Sequence, residues 1–253
     1  MVSSTSVVTI RQKMKLEKNL SQQSYFYFIV FFLLVISAFW MTYITRIFEQ
    51  PNYRMHLHGI TLTLWCIMLI SQAYLIRTKN NGLHKRLGKV SYLLVPLILF
   101  TSLDLFHYQL SKVPSLRIID YHSVALVVNA LIAFVILYGL AIYYRKRSGL
   151  HARYMVSTVF PFITPATDRI IHIYFPSVVP HFYAIDGQPM VPIAGFLMAD
   201  IIIVGLIIWD WRSHRRWNVF PFVLLILLLY HYSVLNFHKF PFWRSFSEWF
   251  VRL

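Results

Sequence analysis

Ser123–Tyr144 reads SVALVVNALIAFVILYGLAIYY, 22 residues without a charge. A helix needs about 20 apolar residues to cross the hydrocarbon of a bilayer. In that solvent the backbone can satisfy its polar groups only within the chain, so an apolar run of this length is a helix. The run sets the class: an all-α integral membrane protein. Toward the N-terminus lie three more runs. Val90–Leu103 continues through Asp104 to Tyr108, Gly59–Ile76 precedes it, and Ser24–Thr45 is uncharged. Toward the C-terminus, Met155–Thr167 continues past Asp168 and Arg169 to Phe175. Pro189–Trp209 is interrupted by Asp200, and Val219–Leu235 contains His231. The expectation is a seven-helix bundle over residues 24–238. A basic cytoplasmic segment, 1–23, precedes it, and an aromatic tail, 239–253, lies along the membrane interface.

Composition agrees. Of 253 residues, 58% are hydrophobic and only 13% charged, with a mean hydropathy of +0.58. A soluble domain carries about twice that charged share. The net charge of +15 sits in short segments between apolar runs, where it sets topology and meets anionic lipid, not nucleic acid. With the N-terminus inside, 16 of the 24 lysines and arginines are cytoplasmic, which predicts N-in, C-out. Trp209, Trp211 and Trp217 then form an inner aromatic belt, and Trp40 and Trp243 an outer one. No cleavable signal peptide is expected: residues 1–23 are polar, and no small-residue cleavage site follows the first run. The single cysteine, Cys66, lies in an apolar run and cannot form an intrachain disulfide. Phosphate loops, dinucleotide fingerprints, nucleophile elbows and zinc-protease motifs are missing. Prolines 96, 161, 165 and 192 fall inside runs, where they kink helices.

A two-span unit occurs twice. The first copy runs from His58 through an apolar span to Gly82-Leu83-His84-Lys85-Arg86, then through a second span to Asp104 and His107. The second runs from His122 to Gly149-Leu150-His151-Ala152-Arg153, then to Asp168 and His172. Duplicated spans are a common origin of membrane folds, and sites form where the copies meet. The N-in topology puts His58, His107, His122 and His172 at outer helix ends and His84 and His151 at inner ones. Asp104 with His107 and Asp168 with His172 each share a helix face. Asn129 follows His122 on its face and is expected to hydrogen-bond across helices.

Three chemistries suit these residues. Neutral imidazoles on facing helices make axial haem ligands: His58 with His122 for an outer haem b, His84 with His151 for an inner one. Two stacked haems would pass electrons across the membrane to a redox partner. Alternatively, His58, Asp104, His107, His122, Asp168 and His172, tuned by Asp200 and His231, would bind zinc or non-haem iron in an enzyme acting on a lipid. Thirdly, Asp168, Arg169, Asp200 and His231 would line a proton or ligand path in a transporter or sensor. His56, His181, His214 and His238 read as structural interface histidines.

One histidine on each of four consecutive spans, second paired with fourth and third with fifth, resembles the ascorbate-dependent di-haem transmembrane cytochromes over residues 58–151. That resemblance implies haem b and electron transfer. His58-Gly59, Trp65, Gln72 and Leu83-His84-Lys85-Arg86-Leu87-Gly88 together resemble an uncharacterised family of bacterial multi-pass membrane proteins. This implies a bacterial inner (cytoplasmic) membrane. The layout with outer His and Asp is also similar to membrane zinc hydrolases related to ceramidases, but their H-x-x-x-H is absent from the last run, where His231 and His238 stand seven apart.

Overall fold

The computed structural model describes residues 15–253; Arg11 and Lys13 of the basic segment lie outside them. Ten α-helices and one small hairpin follow in order. They are α1 (Lys15–Phe39), α2 (Tyr53–Arg77), α3 (Asn81–Gly88), α4 (Ser91–Leu110), α5 (Ile118–Tyr143) and α6 (Ser148–Ser157). Then come α7 (Phe160–Tyr174), β1 (Ala184–Ile185), β2 (Gln188–Pro189), α8 (Pro192–His214), α9 (Phe220–Asn236) and α10 (Pro241–Arg252). Among the described residues, six segments are long and apolar enough to cross a membrane: Lys18–Phe39, Tyr53–Arg77, Asn81–Leu110, Ile118–Tyr143, Pro192–Ser213 and Phe220–Lys239.

The run Met155–Phe175 is not among these six, because it is split between α6 and α7. Pro161 accounts for the split: it has no N–H, and its ring would collide with the carbonyl four residues back in a continuous helix. It sits instead in the first turn of α7, as Pro192 sits in the first turn of α8. These two prolines start helices; only Pro96 and Pro165 lie within one. Helix α1 begins nine residues before the uncharged run, so the basic segment enters the first helix. Elsewhere, starts follow local chemistry. The side chains of Asn52 and Asn80 accept from Arg54 N and Leu83 N, at 3.1 and 3.2 Å, and Asp120 accepts from Arg117 N at 2.8 Å.

Side-chain contacts define two ends. At the end carrying Arg77 and the α5–α6 connection, Tyr25 packs on Tyr74 and His84 on His151. At the opposite end Arg54 meets Asp104, Arg169 meets Thr42, and Tyr121 meets Glu248. The repeat is visible as an order of elements. Each copy has a long helix (α2 or α5), a short helix opening on Gly-Leu-His (α3 or α6), and a second helix leading away (α4 or α7).

One apolar core runs along the bundle around Trp65, Ile98, Phe134, Leu137 and Leu227, with Trp65 edge-on to Phe134 at 5.2 Å. A second gathers Phe196, Tyr230, Val234, Trp243 and Phe250 at the Asp104 end. Leu93, Phe100 and Ile201 point outward at 65–71% exposure, as lipid-facing side chains do. Helix α7 packs closely on α8 at Gly195, where a Cβ would come within 2.5 Å of Thr164 Cα. Helix α10 is amphipathic: Trp243, Ser247 and Phe250 are buried against the bundle, while Phe242 and Trp249 are exposed.

Candidate functional site

The Gly-Leu-His-x-Arg units differ in what they hold. Arg86 is exposed. Arg153 is completely buried, and its guanidinium grips Asp210 of α8 with two hydrogen bonds, Nε to Oδ2 at 2.8 Å and Nη2 to Oδ1 at 2.7 Å. A third N–H reaches the Gly149 carbonyl at 2.7 Å. Asp210, between two tryptophans, carries no signal in the sequence beyond its charge.

His84 and His151 are brought together, their ring centres 6.3 Å apart and nearly perpendicular. Their protonation states follow from their partners. The Gln72 amide donates to the His84 carbonyl and accepts from Gly88 N at 3.2 Å, and both backbone groups have fixed roles. Its nitrogen therefore also donates to His84 Nδ1, so the His84 proton sits on Nε2. His151 Nδ1 donates to the Ala141 carbonyl at 2.8 Å, leaving Nε2 as acceptor. An axial ligand needs a lone pair directed at the metal, with its other nitrogen donating outward. His151 has that tautomer and His84 has the opposite one. Each ring is thus held through its Nδ1, His84 by Gln72 and His151 by the Ala141 carbonyl.

At the other end the expected ligands disperse. Asp104 is neutralised by Arg54, 3.0 Å away, not by His107. The His107 ring stands edge-on to Phe250, its Nε2 buried without a partner. His58 Nδ1 meets Ser102 Oγ at 3.3 Å; the Ser102 hydroxyl donates to the Ile98 carbonyl, so His58 donates to it. His172 is exposed and donates to the backbone oxygen of Asp168 at 2.9 Å. Arg169 turns to α1, donating to Thr42 over the Phe39 ring. His56 is saturated: Nε2–H goes to the Gln50 carbonyl at 2.8 Å, and Nδ1 accepts from Tyr43 at 2.9 Å. Among the described residues, no group of three His, Cys, Asp or Glu side chains stands close enough to hold a metal ion. Asn129 donates across helices to Ser233 at 2.8 Å.

Two polar groupings remain. The first spans α7, α8 and α9. His231 Nδ1 faces Asp200 Oδ2 at 3.4 Å, and its ring stacks on Phe196 at 4.0 Å. With the carboxylate as acceptor the His231 proton is assigned to Nδ1, and Nε2 is buried without a partner. Asp200 Oδ1, Tyr230 Oη and Thr164 Oγ1 are buried and unpartnered as well. The Tyr230 hydroxyl sits beside Thr164, in the field of Asp168. The second grouping joins α5, the turn after α9, and the hairpin. The His122 and His238 rings lie 4.2 Å apart, and Asp186 backs His238 at 3.0 Å. The sequence pointed to His122 but passed over His238 and Asp186. No family model, curated protein or solved structure matches the chain.

Proposed function

We propose that the chain is a seven-crossing, N-in and C-out protein of a bacterial cytoplasmic membrane that couples a proton to the movement or sensing of a small hydrogen-bonding solute. In this reading α6 and α7 together make the fifth crossing. The observation that carries the reading is the carboxylate-backed imidazole of His231, within an apolar helix, with its Nε2 buried and unpartnered. Water cannot satisfy such an atom in hydrocarbon, and unsatisfied polar groups there are expensive. Ionisable residues kept inside spans mark proton and ligand paths. His231 is the proton acceptor, and Asp200 fixes its tautomer and stabilises the imidazolium. Tyr230 Oη and Thr164 Oγ1, side by side in this group, are the hydroxyls a solute would meet there.

The test uses the full chain in liposomes with a trapped pH-sensitive dye, exposed in turn to amino acids, sugars, carboxylates and nucleosides. One solute class is expected to acidify the lumen. Asp200→Asn and His231→Gln should abolish that coupling while leaving folding intact by gel filtration. Coupling that survives both variants would refute the assignment of the proton site. An absorption spectrum of the same sample with a Soret band that sharpens on reduction would replace this reading with haem electron transfer.

A further inference from the structure

We propose that His122 and His238 form a binding site for a borderline divalent cation, with zinc as the representative. His122 Nδ1 lies 2.6 Å from the Val234 carbonyl, which can only accept, so Nδ1 carries the proton and Nε2 the lone pair. His238 Nε2 lies 3.0 Å from Asp186 Oδ2, also an acceptor, so there the lone pair is on Nδ1. Both lone-pair nitrogens are buried and unpartnered, and the residues are only 3% and 2% exposed. Two sealed, electron-rich nitrogens thus share one ring contact.

Each imidazole is held as a metal ligand is held: one nitrogen donates to a carbonyl or carboxylate behind it, and the other is left free. The ring centres are 4.2 Å apart and tilted by 45°. With metal–nitrogen bonds of about 2 Å, this closeness excludes ligands on opposite faces of a porphyrin, and a small outward shift of the rings brings them to the spacing of neighbouring ligands on one ion. Imidazole nitrogen selects zinc, copper or nickel over calcium or magnesium. The supporting shell is purpose-shaped. Asp186 and Gly187, with φ of 49° and 77°, form the two-residue turn of the β1–β2 hairpin. Left-handed backbone at both positions is the tight hairpin turn that Asp-Gly favours. That turn carries the carboxylate to His238. Two imidazoles fill two of zinc's four positions, and water carried in with the ion would fill the others.

Zinc titration of the purified full chain, untagged and in detergent, against a chromophoric chelator tests this. One zinc per chain is expected. His122→Ala and His238→Ala should lose it, and Asp186→Asn should weaken it by about 10–100-fold. Copper(II) in place of zinc should give an electron paramagnetic resonance spectrum with two coupled nitrogens. Should His122→Ala fail to fold, Asp186→Asn still decides, because it removes no ligand. Equal zinc affinity in all variants would overturn the site and assign the metal to exposed histidines such as His172 and His181. No zinc binding, with stabilisation on acidification that needs both histidines, would overturn it in favour of a shared proton. None of these results depends on Asp200 or His231, so the site stands or falls apart from the proton-coupling proposal.

Discussion

A guanidinium without water around it needs a fixed counter-charge, and at Arg153 that is Asp210. Removing one partner of such a buried pair costs about 3–5 kcal/mol, whereas replacing both by apolar groups is often neutral. Arg153→Met or Asp210→Leu should therefore lower the unfolding temperature in detergent sharply, and the double variant should recover most of the loss. Asn129→Leu, which removes one cross-helix hydrogen bond to Ser233, should lose only about 0.6 kcal/mol. The difference separates a structural charge from an ordinary polar contact. Single residues were unevenly legible in the sequence. Histidine and aspartate announce chemistry by type, so His84, His151, Asp200 and His231 could be picked out. Which atom meets which partner depends on rotamers and on backbone carbonyls brought in by packing, and no spacing rule contains that. His122 illustrates it: the repeat suggested His58 as its partner, but a turn more than 100 residues downstream supplies His238.

At the scale of elements, apolar runs and prolines carried most of the information. Long uncharged stretches became long helices, and Gly-Leu-His marked the start of a short helix twice over. The α6–α7 break was harder to read, because a proline inside an apolar run is compatible with a kink as well as a new helix start. The α7–α8 contact gives a direct test. Adding a methyl at Gly195 drives it into Thr164 and Thr167, and overpacking of this kind costs about 1–3 kcal/mol. Gly195→Ala should lower the unfolding temperature, and Gly195→Leu should abolish a monodisperse gel-filtration peak. Gly139 and Gly205, with open space around them, should accept alanine without loss. Because the same contact orders Thr164 beside Tyr230, Gly195→Ala is also expected to weaken solute coupling.

For the whole molecule, the asymmetry of lysine and arginine predicts an orientation before any side chain is placed. Cys66 is buried, so single cysteines introduced elsewhere report alone. In intact cells a membrane-impermeant maleimide should label Lys112→Cys and miss Lys146→Cys, and membrane disruption should expose the second. Labelling of Lys146→Cys and not Lys112→Cys would invert the orientation. Labelling of both in intact cells would remove the odd number of crossings between them. The buried Arg153–Asp210 pair has a further consequence, for biogenesis. Arg153 leaves the ribosome 57 residues before its counter-charge, on a segment broken into two helices, neither long and apolar enough to cross a membrane by itself. On the seven-crossing proposal, the α6–α7 segment is expected to wait, in the translocon or against α5, until α8 delivers Asp210. A nascent chain arrested before α8 should leave this segment extractable by alkali, and one arrested after it should not.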